Sequence, residues 1–149
     1  MRQLSDYIAE ANREVAMRRQ VYPGRVSAKK MTQAQADKKI ILMQQVGVIF
    51  SIAQLEKKDP WELRLPLYEP DGDPYPISTL APHIQECQTE LKWREHLMSK
   101  QSYGRATTEI KRAQIETLRE MLAHLIEIQT ASQPAAAQAA AAPAQTKLF

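Results

Sequence analysis

The sequence predicts an all-α protein, a bundle of about four helices with a Pro-rich internal loop and a disordered C-terminal tail. Three observations predict it. Only 4 of 149 residues are glycine, too few for the turns of a β sandwich or barrel. Apolar residues recur at three- and four-residue spacing in separate segments divided by proline and glycine signals. Hydrophobic residues make up 44% and charged residues 25%, ordinary globular proportions, while aromatics at 6% leave the core to Leu, Ile, Val, Met and Ala.

The first helix is expected from Leu4 to about Gln20, with Leu4, Ile8, Ala11 and Val15 on one side and Arg and Glu elsewhere. Pro23-Gly24 should close it, because the residue before proline resists the α region. Thr32 and Gln35 form the T-x-x-Q of a capping box, so a second helix opens there and runs to about Lys58. Its stripe of Ala36, Ile40, Met43, Val46, Phe50 and Ala53 is widened by Ile41, Leu42, Val48, Ile49 and Ile52, which predicts a central helix. Gly47 in its middle points to a close helix crossing.

Residues 59–77 carry Pro60, Pro66, Pro70, Pro74 and Pro76, a density that no long helix survives. A connecting loop is expected, with a short strand at Trp61 to Leu67. The third helix should start at Ser78 or Thr79 with Pro82 in its first turn, turn Leu80, Ile84, Cys87, Leu91, Arg94 and Met98 inward, and stop before Tyr103-Gly104. The fourth should run from about Thr107 to Ile128 on the pattern Ile115, Leu118, Leu122, Leu125. The helical domain is thus placed at residues 1–129. Residues 130–144 read as a linker, since Ala131 to Ala144 holds nine alanines, two prolines and no charge. Residues 145–149 follow as a separate short segment.

The net charge of +3 is unevenly spread: residues 1–39 hold nine Lys/Arg against four Asp/Glu. Arg13, Arg18, Arg19, Arg25, Lys29, Lys30, Lys38 and Lys39 are therefore candidate nucleic-acid contacts, in a DNA-binding accessory role. A third reading is a structural or assembly protein that dimerises through the fourth helix. The single cysteine, Cys87, excludes an internal disulfide framework and is expected to be a small buried hydrophobe. His83, His96 and His124 are scattered, and His83 with Cys87 supplies only two metal ligands. Asp71-Gly72-Asp73 lacks the other ligands of a calcium loop and reads as a turn. No cofactor, no metal and no catalytic residues are assigned, and a non-enzymatic protein is expected. The longest apolar run, Ile40 to Ile52, is too short and too interrupted to span a bilayer, and no secretion signal is recognisable, so a cytoplasmic location is expected.

Leu148 and Phe149 are large apolar residues placed after a segment that offers nothing to bury them. They read as anchors of a short linear motif. Gln145-Thr146-Lys147-Leu148-Phe149 resembles the clamp-binding pentapeptide of bacterial replication and repair proteins, of general form Q-x-x-L-F with Leu favoured second and Ser or Asp third. Gln145, Leu148 and Phe149 match, while Thr146 and Lys147 depart from the favoured residues. The resemblance implies that Gln145 hydrogen-bonds beside a cleft on the β sliding clamp, a subunit of DNA polymerase III, and that Leu148-Phe149 fill it. About 2% of random chains of this length would carry such a pentapeptide anywhere. A second resemblance, carried by Arg18 to Val46, is to small phage- and prophage-encoded helical proteins of unassigned activity. It implies a mobile-element origin and a bacterial host cell.

Overall fold

The computed structural model describes residues 2–70, 72 and 74–133. Helices α1 (Leu4–Ser27), α2 (Gln33–Glu56), α3 (Ala81–Lys100) and α4 (Arg105–Ser132) make up the bundle, and no strand occurs among the described residues. None of these helices is long and apolar enough to cross a membrane. The α1–α2 and α3–α4 hairpins pack along a shared core of Tyr7, Met43, Val46, Ile49, Phe50, Leu118, Met121 and Leu125.

Helix α1 continues past Gln20 and through Pro23 to Ser27. Proline inside a helix removes one hydrogen bond and crowds the preceding turn, a cost of about 3 kcal/mol. Pro23 faces solvent, and Tyr22 beside it is 7% exposed, lying under the guanidinium groups of Arg18 and Arg25 at 5.8 and 5.6 Å from its ring centre. Burying that ring offsets the local defect. The helix closes where Lys29 adopts φ 58° and the Lys30 amide donates to the Arg25 carbonyl at 2.9 Å. Lys57 closes α2 in the same left-handed way, with Lys58 donating to the Ala53 carbonyl.

The Thr32 capping box opens α2 as expected: the Gln35 amide donates to Thr32 Oγ1 at 3.1 Å and the Thr32 amide to Gln35 Oε1 at 2.9 Å. Gly47 marks the crossing with α1. A Cβ built there would stand 3.2 Å from the Cβ of Ala11. Helix α2 is not enclosed all round, since Ile41 and Leu55 remain exposed.

The strand expected at Trp61 to Leu67 does not form. Pro60–Glu62 is a single 3-10 turn, and Leu67 pairs only with Ile77, through reciprocal backbone bonds of 3.0 and 2.7 Å. That bridge holds Ile77 extended, so α3 begins at Ala81 rather than Ser78. Helix α4 extends beyond Ile128 to Ser132, so Thr130 to Ser132, expected in the linker, are helical. Gln129 Oε1 accepts from the Leu80 amide at 2.5 Å and Ser132 Oγ from the Leu65 amide at 2.9 Å, which anchors this last turn to the loop. The stripe of Ile115, Leu118, Leu125 and Ile128, with Leu122 half-buried, is taken up by the bundle's own core.

Candidate functional site

The buried centre of the molecule holds a charged ladder. Helix α1 carries Glu10, Glu14 and Arg18 at successive four-residue steps, and α3 carries Glu86, Glu90 and Arg94 at the same steps. Four-residue spacing stacks the three side chains on one face of each helix. The two faces meet with opposite direction, so each arginine reaches back to its own helix and across to the other. Arg18 Nε lies 2.9 Å from Glu14 Oε1, its Nη1 2.8 Å from Glu86 Oε1, and its Nη2 3.6 Å from Glu90 Oε2. Arg94 Nη1 lies 2.7 Å from Glu10 Oε1, its Nη2 2.8 Å from Glu14 Oε2, and its Nε 3.2 Å from Glu90 Oε1.

Arg13 on Glu10 (2.6 Å) and Lys39 on Glu86 (3.2 Å) close the two ends, so four carboxylates meet four cations. Burial alone would drive these carboxyls toward their neutral form. At Glu14 burial acts upward, but Arg94 and Arg18 outweigh it and hold the carboxyl below its usual range. At Glu90 burial, reinforced by Glu14 beside it, leaves the carboxyl above the usual range. The sequence pattern places Arg94 inward. It misses Glu10, Glu14 and Arg18, which fall outside the apolar stripe of α1, and Glu86 and Glu90, which fall outside that of α3. The repeated E-x3-E-x3-R spacing was the available signal.

This placement corrects the candidate nucleic-acid set. Arg18 is 2% exposed and all its near donors are committed within the ladder and to the Lys39 carbonyl, so it cannot reach a phosphate. Arg13 and Lys39 are ladder ends, each already holding a carboxylate. Arg19, Arg25, Lys29, Lys30 and Lys38 are exposed, and none is paired with a carboxylate among the described residues.

An open groove runs between α1 and α3 above the ladder. It consists of two adjoining hollows of about 530 and about 120 Å³ that share Met17, Glu90 and Trp93. Met17, Val21 and Trp93 are exposed at 38, 41 and 48%. Tyr22, Arg25 and Lys30 line one end, and Tyr103, Lys111 and Ile115 the other.

A second polar corner joins the start of α1 to α4. Tyr7 donates to Glu120 Oε1 at 2.9 Å, the Arg2 guanidinium meets Glu120 Oε2 at 2.5 Å, and His124 Nε2 stands 3.4 Å from the Tyr7 hydroxyl. His124 lies among the rings of Tyr7, Phe50 and Trp61. Burial lowers its affinity for a proton. His83 pairs with Gln45 at 2.7 Å, and burial pushes its pKa down to about 4. Cys87 is fully buried and burial pushes its thiol up to about 12, so it is the inert hydrophobe expected. Among the described residues no group of three or more His, Cys, Asp or Glu is arranged to hold a metal ion.

Gln145, Leu148 and Phe149, the candidate clamp-binding residues, lie outside the described residues. Comparison with protein-family models, curated proteins and solved structures gave no match.

Proposed function

We propose that the protein is a non-enzymatic, phage- or mobile-element-encoded factor that binds the bacterial β sliding clamp through Gln145-Thr146-Lys147-Leu148-Phe149. One observation carries the reading: a Q-x-x-L-F pentapeptide is joined to the last helix by an uncharged Ala/Pro/Gln stretch. In such a pentapeptide Leu148 and Phe149 supply the apolar anchors and Gln145 an amide for the rim of the cleft. Clamp binding would bring the helical bundle to the replisome, either to serve replication of the element or to compete with host polymerases.

The anchoring of α4 supports this reading. Gln129 and Ser132 tie the end of the helix to the Leu65 and Leu80 amides, so the chain departs from a defined point on the bundle. A linker of about a dozen residues has a typical span of roughly 20 Å, which raises the local concentration of whatever the bundle carries. The test is direct binding of the full-length chain to purified β clamp. Micromolar binding, lost on Leu148→Ala with Phe149→Ala and weakened on Gln145→Ala, is expected. Absence of binding by the intact chain, or binding untouched by the double substitution, overturns the proposal.

A further inference from the structure

The ladder matches its four carboxylates with Arg13, Arg18, Lys39 and Arg94, and among the described residues no carboxylate pairs with Arg25, Lys30 or Lys111 on the groove above it. Two of these cations stand beside aromatic rings, and Lys30 lines the same hollow as Tyr22. Arg25 lies 5.6 Å from the Tyr22 ring centre and Lys111 Nζ 4.8 Å from that of Tyr103. Between them Trp93 lines both hollows and is about half exposed, with its ring stacked on His96 at 5.9 Å and 27°. The groove follows α3 from Glu86 to Met98, about 18 Å by helical rise.

Positive groups stand at both ends of a channel that has Trp93 between them, the charged ladder beneath it and Met17, Val21 and Ile115 in its walls. An apolar helix laid into it would dehydrate the edge of the ladder without offering polar partners. A chain of phosphates and flat bases matches both the cations and the ring between them. Stacking on exposed rings in a positive channel is the means by which single strands are held without regard to sequence. We propose that the groove between α1 and α3 binds single-stranded nucleic acid, with Trp93 as the stacking platform and Arg25, Lys30 and Lys111 as phosphate partners. The site draws Arg25 and Lys30 from the exposed hairpin cations, joins them to Trp93 and Lys111, and does not depend on clamp binding.

The experiment is fluorescence anisotropy of the full-length chain with a labelled oligothymidylate of about ten nucleotides at low salt, beside a duplex of equal length. Single-strand binding should weaken about ten-fold or more on Trp93→Ala and be largely kept on Trp93→Phe. Arg25→Glu with Lys30→Glu should lower the slope of log affinity against log salt by about one to two. Circular dichroism is expected to show an unchanged fold in each variant, since all three side chains are exposed. Removal of residues 145–149 should leave binding intact. Lack of oligothymidylate binding overturns the proposal, as does binding indifferent to Trp93→Ala or a duplex held as tightly as the single strand. A Glu-rich helical peptide that competes with higher affinity would assign the groove to an acidic protein partner instead and would also overturn it.

Discussion

Glu14 and Glu90 hold corresponding middle positions in the two halves of the ladder, yet their surroundings predict opposite responses to neutralisation. Glu14 accepts short bonds from both arginines, 2.9 Å from Arg18 Nε and 2.8 Å from Arg94 Nη2. Glu90 lies 3.2 Å from Arg94 Nε and 3.6 Å from Arg18 Nη2, close enough to feel the Glu14 charge as well. A hydrogen bond to a charged group contributes about 1.5–3 kcal/mol, and breaking a buried ion pair costs about 3–5 kcal/mol. Glu14→Gln keeps one acceptor oxygen and should cost about 2–4 kcal/mol at neutral pH. With an unfolding entropy of about 2.1 cal/mol/K per residue over about 130 residues, that is a Tm drop of roughly 7–15 °C.

Glu90→Gln removes a carboxyl that burial and Glu14 already disfavour as an anion, so it should change stability by less than about 1 kcal/mol. The pH dependence separates the two further. The folded Glu14 carboxyl lies below its ordinary value of 4.5, so its contribution is present above that pH and lost as pH falls through the lower folded value. The Glu14→Gln penalty should fade in the same direction. The folded Glu90 carboxyl lies above 4.5, so its contribution is present below that pH and lost as pH rises through the folded value. Glu90→Gln should therefore gain on the parent protein as pH rises toward neutrality. Urea unfolding of both variants between pH 4 and 7.5 checks this. Equal penalties at neutral pH, or a larger one for Glu90→Gln, would refute the assignment of charge within the ladder.

Three further outcomes follow from the packing. Gly47→Leu should destabilise by more than about 2 kcal/mol in thermal unfolding, because even a Cβ at that position stands 3.2 Å from Ala11 and the crossing must open. Lys57→Gly should stabilise by about 0.5–1 kcal/mol in chemical denaturation, since it relieves a side chain held at φ 55°. His83, neutral when folded with its pKa pushed by burial to about 4 against an ordinary 6.5, makes the unfolded chain the better proton binder between those values. Stability should therefore decline as pH falls from 6.5 to 4, and His83→Gln should flatten that limb in a pH series of melting curves.

What the sequence disclosed follows a physical division. Signals confined to a few neighbouring residues were legible: the Thr32–Gln35 cap, Pro82 in the first turn of α3, and the four apolar stripes each depend on local geometry. Pro23 misled because its local penalty is outweighed by a tertiary contact, the seating of Tyr22 against Arg18. The bridge of Leu67 with Ile77 delays α3 for the same kind of reason, a pairing across the loop that no window around Ser78 contains. The left-handed caps at Lys29 and Lys57 carry no glycine to announce them. The ladder was half visible. Charged residues at four-residue spacing ordinarily line a solvated face, and only α3 brought beside α1 turns them into mutual partners. The basic N-terminal third consequently looked more available to nucleic acid than it is, because Arg18 is spent in the core while Arg13 and Lys39 are held at its ends.

That division also orders the functional proposals in space. The groove is walled in part by Lys111 and Ile115, in the first half of α4, whereas the segment carrying the pentapeptide leaves α4 beyond Ser132. Seventeen residues of helix separate Ile115 from Ser132, about 25 Å by helical rise. The groove is thus walled by the half of α4 remote from Ser132, so the two proposals concern opposite ends of that helix. The ladder ties α1 to α3, and the spacing of Arg25 and Trp93 depends on the register of those two helices. Arg94→Met, which leaves Glu10, Glu14 and Glu90 without their shared cation, should therefore weaken oligothymidylate binding through loss of groove geometry while clamp binding through residues 145–149 persists. Loss of both together would mean that the two surfaces are not independent.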